Sequence, residues 1–191
     1  MVRIMDGSRK QLSSAQLEDI EAAYGVKLPE ELREYIKHHP TQVVAGNLTW
    51  GSSPLDIVNL QQSFFRNKLK FDLENNDDYW PTVLGERPAD MEARITKATE
   101  YMEQLPPLIP VRDLKYYVPT TISDVNMRLP IISFHQFVDT IFMYKNLSAF
   151  EKKKHLPDGV KLDTLPGVSG WDKIIDGLGA SDEELYIKEK I

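Results

Sequence analysis

The sequence predicts an α+β fold, with a mostly antiparallel central sheet of short strands flanked by helices. Three observations point to it. Apolar residues recur at three-to-four spacing near the N-terminus and again between residues 88 and 105. Short β-branched and aromatic runs separated by turn residues fill much of 41–60 and 108–144. The order is helices, then strands around a helix, then helices again, which suits segregated elements better than a regular β-α alternation.

Ser13 opens the first helix. Ser13-x-x-Gln16 has the capping-box pattern, in which hydroxyl and amide satisfy free backbone N–H groups at a helix start. Leu17, Ile20 and Tyr24 form its apolar stripe, with Glu21 as the exposed counterpoint, and Gly25 fits the left-handed position that ends a helix. After Val26-Lys27-Leu28, Pro29 suits a first helical residue, and Glu30 and Glu31 favour the positive helix end. Leu32, Tyr35 and Ile36 make the buried stripe of this second helix, and Pro40 stops it after His38-His39.

Residues 42–45, 47–50 and 55–60 read as short extended pieces, and 63–69 as a helical turn. The stretch 71–81 (FDLENNDDYWP) is acidic, Asn-rich and aromatic, and reads as an exposed connection. Pro88 starts a helix carrying Met91, Ile95, Ala98, Met102 and Leu105, and Pro106-Pro107 ends it. Extended pieces follow at 108–111, 116–118, 131–134 and 140–144, the last two joined near Phe137-Val138-Asp139. Asn146 or Ser148 caps a closing helix through Leu147, Phe150 and His155, with Lys152-Lys153-Lys154 against its negative end. Beyond it come turns, an amphipathic piece at 171–175 and an acidic tail from Ser181.

Composition excludes several classes. The 191 residues are 41% hydrophobic and 27% charged, ordinary values for a globular chain. With no Cys, there are no disulfides, thiolate metal sites or Cys nucleophiles. The first residues, MVRIMDGSRKQLSS, have charges but no apolar stretch behind them, and no apolar run reaches the ~18 residues of a membrane span. A cytoplasmic soluble protein is expected, without membrane association.

The search for chemistry finds no catalytic constellation. His38, His39, His135 and His155 include no i, i+4 pair and no HExxH, so no metal site is expected. Gly167-Val168-Ser169-Gly170 lacks the spacing of a nucleophile elbow. Gly177-Leu178-Gly179 lacks the third glycine of a dinucleotide fingerprint, Asp182 standing in its place. No phosphate-loop GKS or GKT is present, and Asp77 and Asp78, being adjacent, form no evident acid–base pair. No cofactor is expected, and the chain does not read as an enzyme.

Charge placement is more informative. Residues 71–104 hold nine carboxylates (Asp72, Glu74, Asp77, Asp78, Glu86, Asp90, Glu92, Glu100, Glu103) against Arg87, Arg94 and Lys97, which matches the whole net charge of −6. Such an excess repels phosphate backbones, so no nucleic-acid partner is expected, and it suits a basic protein. The candidate protein-binding residues are Asp72, Glu74, Asp77, Asp78, Tyr79 and Trp80. Carboxylates there would steer a basic partner, and Tyr and Trp are anchoring residue types. The alternative reading is a solvated acidic loop, with Trp80 plugging the core.

Residues 21–36 (EAAYGVKLPEELREYI) resemble the signature of the SUKH superfamily, the Smi/Knr-type domain. Glu21, Gly25, Leu28, Pro29, Tyr35 and Ile36 fall on its pattern, whereas His39-Pro40-Thr41 stands where the family usually has an Asn-Gly-Gly-like turn. Leu108-Ile109-Pro110-Val111 is similar to the family's strand after the central helix. Asp139-Thr140-Ile141-Phe142-Met143-Tyr144 and Asn146-Leu147-Ser148-Ala149-Phe150 are similar to its last strand and closing helix. The resemblance implies a single SUKH-like domain over 1–191, with a core at about 13–156 and a C-terminal extension at 157–191. It also implies a non-enzymatic binding module. Bacterial members look like immunity proteins that neutralise toxins, often nucleases; fungal namesakes are linked to control of cell-wall synthesis. A toxin-binding immunity protein is the leading expectation, a regulatory adaptor for cell-wall or signalling proteins the alternative, and a hydrolase assembled from distant residues the third.

Overall fold

A computed structural model describes residues 11–118, 131–144, 146–155 and 170–175. The fold is α+β. The chain divides into two compact units at Leu60 and Gln61, inside one helix.

In the first unit, α1 spans Ser14–Tyr24 and α2 Glu30–His38. The Ser13–Gln16 capping box forms in both directions. Gly25 adopts φ +66°, and the Gly25 and Val26 N–H groups close back on the Ala22 and Glu21 carbonyls, as in a Schellman motif. Pro29 sits one residue earlier than the sequence suggests: at ψ 145° it precedes the helix, and Glu30 is the first helical residue. Leu17, Ile20, Tyr24, Leu28, Leu32, Tyr35 and Ile36 are buried. The strands β1 (Val43–Ala45) and β2 (Leu48–Thr49) pair antiparallel, and the Trp50 ring lies 6.4 Å from that of Tyr24.

The expected strand at 55–60 is helical instead. It belongs to α3, Pro54–Asn75, which also absorbs the helical turn expected at 63–69 and the first residues of the expected loop at 71–81. The helix starts as the local chemistry requires: Ser53 Oγ accepts the Asp56 N–H at 3.4 Å, Pro54 takes the first helical position, and Asp56 sits in the first turn. Ile57, Gln61, Phe65, Leu69 and Leu73 are all buried, at a strict spacing of four. The β-branched pair Ile57-Val58 imitates a strand only over a short window.

In the second unit, Asp90 caps α4 (Met91–Glu103), whose first residue lies three beyond the start expected at Pro88. The strands β3 (Ile109–Arg112), β4 (Lys115–Tyr117), β5 (Ile131–Gln136) and β6 (Asp139–Tyr144) form an antiparallel sheet in that order. Asn146, rather than Ser148, caps α5 (Leu147–Glu151), which stops before His155. Tyr116, Ile132 and Phe134 face a core shared with Phe65, Leu69 and Leu73 of α3 and Ala98 and Met102 of α4. Phe134 is its aromatic centre, with ring centroids of Phe65 and Phe137 at 4.9 and 5.0 Å. Trp171, Ile174 and Ile175, from the C-terminal region, are buried in this cluster, and Trp171 Nε1 donates to the Pro106 carbonyl at 2.7 Å. The glycine motif at 177–179 and the acidic tail lie outside the described residues.

Candidate protein-binding surface

The end of α3 is closed by two asparagines. Asn75 Nδ2 donates to the Phe71 carbonyl at 2.8 Å, and Asn76 Nδ2 reaches the Asp72 carbonyl and carboxylate at 3.3 Å. Their side chains thus fold back on carbonyls of the last helical turn, the Asp72 carbonyl also taking the Asn76 N–H at 2.9 Å. The chain turns through Asp77-Asp78, and Tyr79 drives it back inward. Its ring is buried, and its hydroxyl donates to the Ile174 carbonyl at 2.6 Å.

The reading of 71–81 as an exposed connection is therefore corrected. Asp72, Leu73, Tyr79 and Pro81 are buried, and only Glu74, Asp77 and Asp78 of the four expected carboxylates reach the surface. Asp72 has none of its surface exposed. Its carboxylate accepts the Phe137 N–H at 2.6 Å and also that of Val138, tying the end of α3 to the β5–β6 turn. Burial pushes its pKa above the usual carboxylate range, against the pull of those two N–H donors. Asp72 and Tyr79 hold the fold and are unavailable to a partner.

Trp80 is half-buried. One side packs on the core, Nε1 donates to the Gly85 carbonyl at 2.8 Å, and Lys97 Nζ lies 6.0 Å from the ring centroid. Gly85, at φ +67°, lets the 82–86 turn close under the indole. Core plugging and surface display thus coexist in one residue.

The local cations are directed at backbone. Arg87 Nη1 donates to the Asp77 carbonyl, Lys97 Nζ to the Glu86 carbonyl at 3.1 Å, and Arg94 to the Pro88 and Ala89 carbonyls at 2.6 and 3.1 Å. Asp90 is used as a helix cap and Glu103 pairs with Arg66 at 2.6 Å. Glu74 lies 3.8 Å from Lys70, both exposed, a pair worth ~0–1 kcal/mol. Among the described residues, no cation stands within ion-pair distance of Asp77, Asp78, Glu86, Glu92 or Glu100. Sequence counting found the acidic excess but not this division of labour, because nothing in the spacing of Arg87, Arg94 and Lys97 says that their partners are carbonyls.

The family-signature residues do structural work in the first unit. Glu21, expected on the exposed side of α1, is buried at 4% exposure. It accepts Lys27 Nζ at 2.7 Å, Arg33 Nη1 at 2.9 Å and the Leu28 N–H at 3.2 Å, clamping the α1–α2 connection. The four histidines stand apart in contacts of their own: His38 with Gln11 and Glu34, His39 stacked on Tyr35, His135 with Ser133, and His155 against Tyr144. Among the described residues, no group of three or more His, Asp or Glu is arranged to hold a metal. No described helix is long and apolar enough to cross a membrane.

An α+β fold thus emerges in which Glu21 clamps the α1–α2 connection and Asp77 and Asp78 of the acidic turn face solvent. The sequence profile of the SMI1 / KNR4 family (SUKH-1) matches residues 11–153, and the chain belongs to that family. No curated protein and no solved structure matches it.

Proposed function

We propose that this protein is a non-enzymatic binding module acting in the cytoplasm as an immunity protein, neutralising a toxin domain with a basic surface, such as a nuclease. The family includes toxin immunity proteins, which supports the class of partner. The observation that carries the reading is the acidic turn itself. The exposed Glu74, Asp77 and Asp78 lead in the chain to a braced, half-exposed Trp80, while the neighbouring cations Arg87 and Lys97 are held on backbone carbonyls. Asp77 and Asp78, with no cation at ion-pair distance among the described residues, keep their field for a partner and speed encounter with a positive surface. The fixed indole offers an anchor that loses little side-chain freedom on binding. An interface of ~1,600 Å² around this turn is of the size that stable complexes use.

The test is co-expression with the product of the adjacent gene, scored for rescue of growth and for co-purification. With that partner in hand, Asp77→Asn with Asp78→Asn should leave melting unchanged, slow association and flatten its salt dependence. Rescue that persists with unaltered association rates and salt dependence in the double variant would place the interface elsewhere.

A further inference from the structure

The second unit also carries a surface of opposite sign. Arg112 and Lys115 are cross-strand partners at the β3–β4 turn, and Lys115 is paired in turn with Ser133, whose hydroxyl lies 3.2 Å from Nε2 of the exposed His135. The Arg112 guanidinium lies 5.0 Å over the ring of Phe150, and Lys152, Lys153 and Lys154 follow directly at the end of α5. One end of the sheet and the last turn of α5 are thereby drawn together around a single aromatic ring.

Helix capping does not account for these lysines. The backbone N–H groups of Lys152, Lys153 and Lys154 already take the Ser148, Phe150 and Ala149 carbonyls. The ammonium groups are exposed, and among the described residues no carboxylate stands within ion-pair distance of them or of Lys115. The Arg112–Asp113 contact is 3.9 Å between side chains 47% and 69% exposed, which neutralises little.

We propose that this surface docks an acidic segment of a partner protein, independently of the acidic turn. Charge complementarity sets the class. Arg112, placed over the Phe150 ring, presents a planar fork suited to a carboxylate, and the lysines add adaptable point charges nearby. A nucleic-acid strand fits less well, because a continuous polyanion running past the patch meets a chain of net charge −6. A short acidic segment ends where the patch ends.

The experiment titrates the whole protein into two labelled probes of equal length, an oligoglutamate peptide and an oligothymidylate, at low salt, with fluorescence anisotropy as readout. The peptide should bind saturably, and binding should weaken about tenfold or more in Lys152→Glu with Lys154→Glu, and also in Arg112→Gln. A matched control, Gln62→Glu with Asn67→Glu and Lys70→Glu, adds the same charge on exposed positions of α3 and should change binding far less. Circular dichroism confirms that each variant is folded. Tighter binding of the oligothymidylate, equal losses in the α3 control, or no peptide binding at low salt would each overturn the proposal.

Discussion

Removing the Glu21 carboxylate tests the clamp between α1 and α2. Three donors converge on it, and they differ in weight. Lys27 is 84% exposed, so its ion pair contributes ~0–1 kcal/mol. The Leu28 N–H is buried, and stranding it costs about 1–3 kcal/mol. Arg33, 22% exposed, loses the carboxylate that offsets its partial burial. Glu21→Ala should therefore destabilise by about 3 kcal/mol, or roughly 6–12 °C in melting temperature for a chain of this size. Glu21→Gln keeps an oxygen for Leu28 and loses the charge, which should cost about 1 kcal/mol.

The pH dependence separates the charge from the packing. Burial alone would raise the Glu21 pKa, but the Lys27 hydrogen bond, the Leu28 N–H and the Arg33 charge outweigh it and hold the carboxyl below its ordinary 4.5. A folded value below the unfolded one means stabilisation that is complete above the unfolded pKa and lost as pH falls through the folded value. Urea unfolding followed by circular dichroism between pH 7 and pH 3 should show the wild type losing its margin over Glu21→Gln on acidification. A margin unchanged at pH 3, or an Ala variant melting with the wild type at pH 7, would refute the clamp.

Asp72 should behave in the opposite sense. Its folded pKa is raised, so its contribution is present below the unfolded value and lost as pH rises through the folded one. In urea unfolding, Asp72→Asn should remain as stable as the wild type or gain at pH 7, whereas Asp72→Ala, which strands the Phe137 N–H, should lose about 1–3 kcal/mol. Two glycines should rank clearly in thermal melts: Gly25→Ala, with open space around the added Cβ, meets only the left-handed backbone cost of about 1 kcal/mol. Gly170→Ala, at φ +90° with Leu105 Cδ2 at 2.7 Å from the new Cβ, should cost more. Tyr79→Phe removes the hydroxyl donor to the buried Ile174 carbonyl and should lower stability by about 1–2 kcal/mol in denaturant unfolding.

Local chemistry is legible wherever neighbouring residues settle it. Ser13 and Gln16, Gly25 and the apolar stripe of α4 are each decided within a turn or two of chain, and the sequence places them, whereas it leaves Asn146 and Ser148 both open as the cap of α5. The same holds for the family signature and the acidic excess of 71–104. Leu55 to Leu60 shows where local reading stops: six residues cannot separate a β-branched strand from a helix, and only the four-residue stripe continued to Leu73 resolves them.

Tertiary structure decided which polar groups face water. Glu21 and Asp72 look like surface carboxylates in a linear reading, because their donors lie elsewhere: Arg33 twelve residues on for one, Phe137 sixty-five for the other. Tyr79 sits in an acidic stretch, yet its hydroxyl finds a carbonyl ninety-five residues away, which draws the ring into the core. Side-chain type and spacing determine helices, caps and net charge, since these depend on near neighbours. A buried charge or hydroxyl depends on a partner brought from a distant part of the chain, and only the folded chain supplies it.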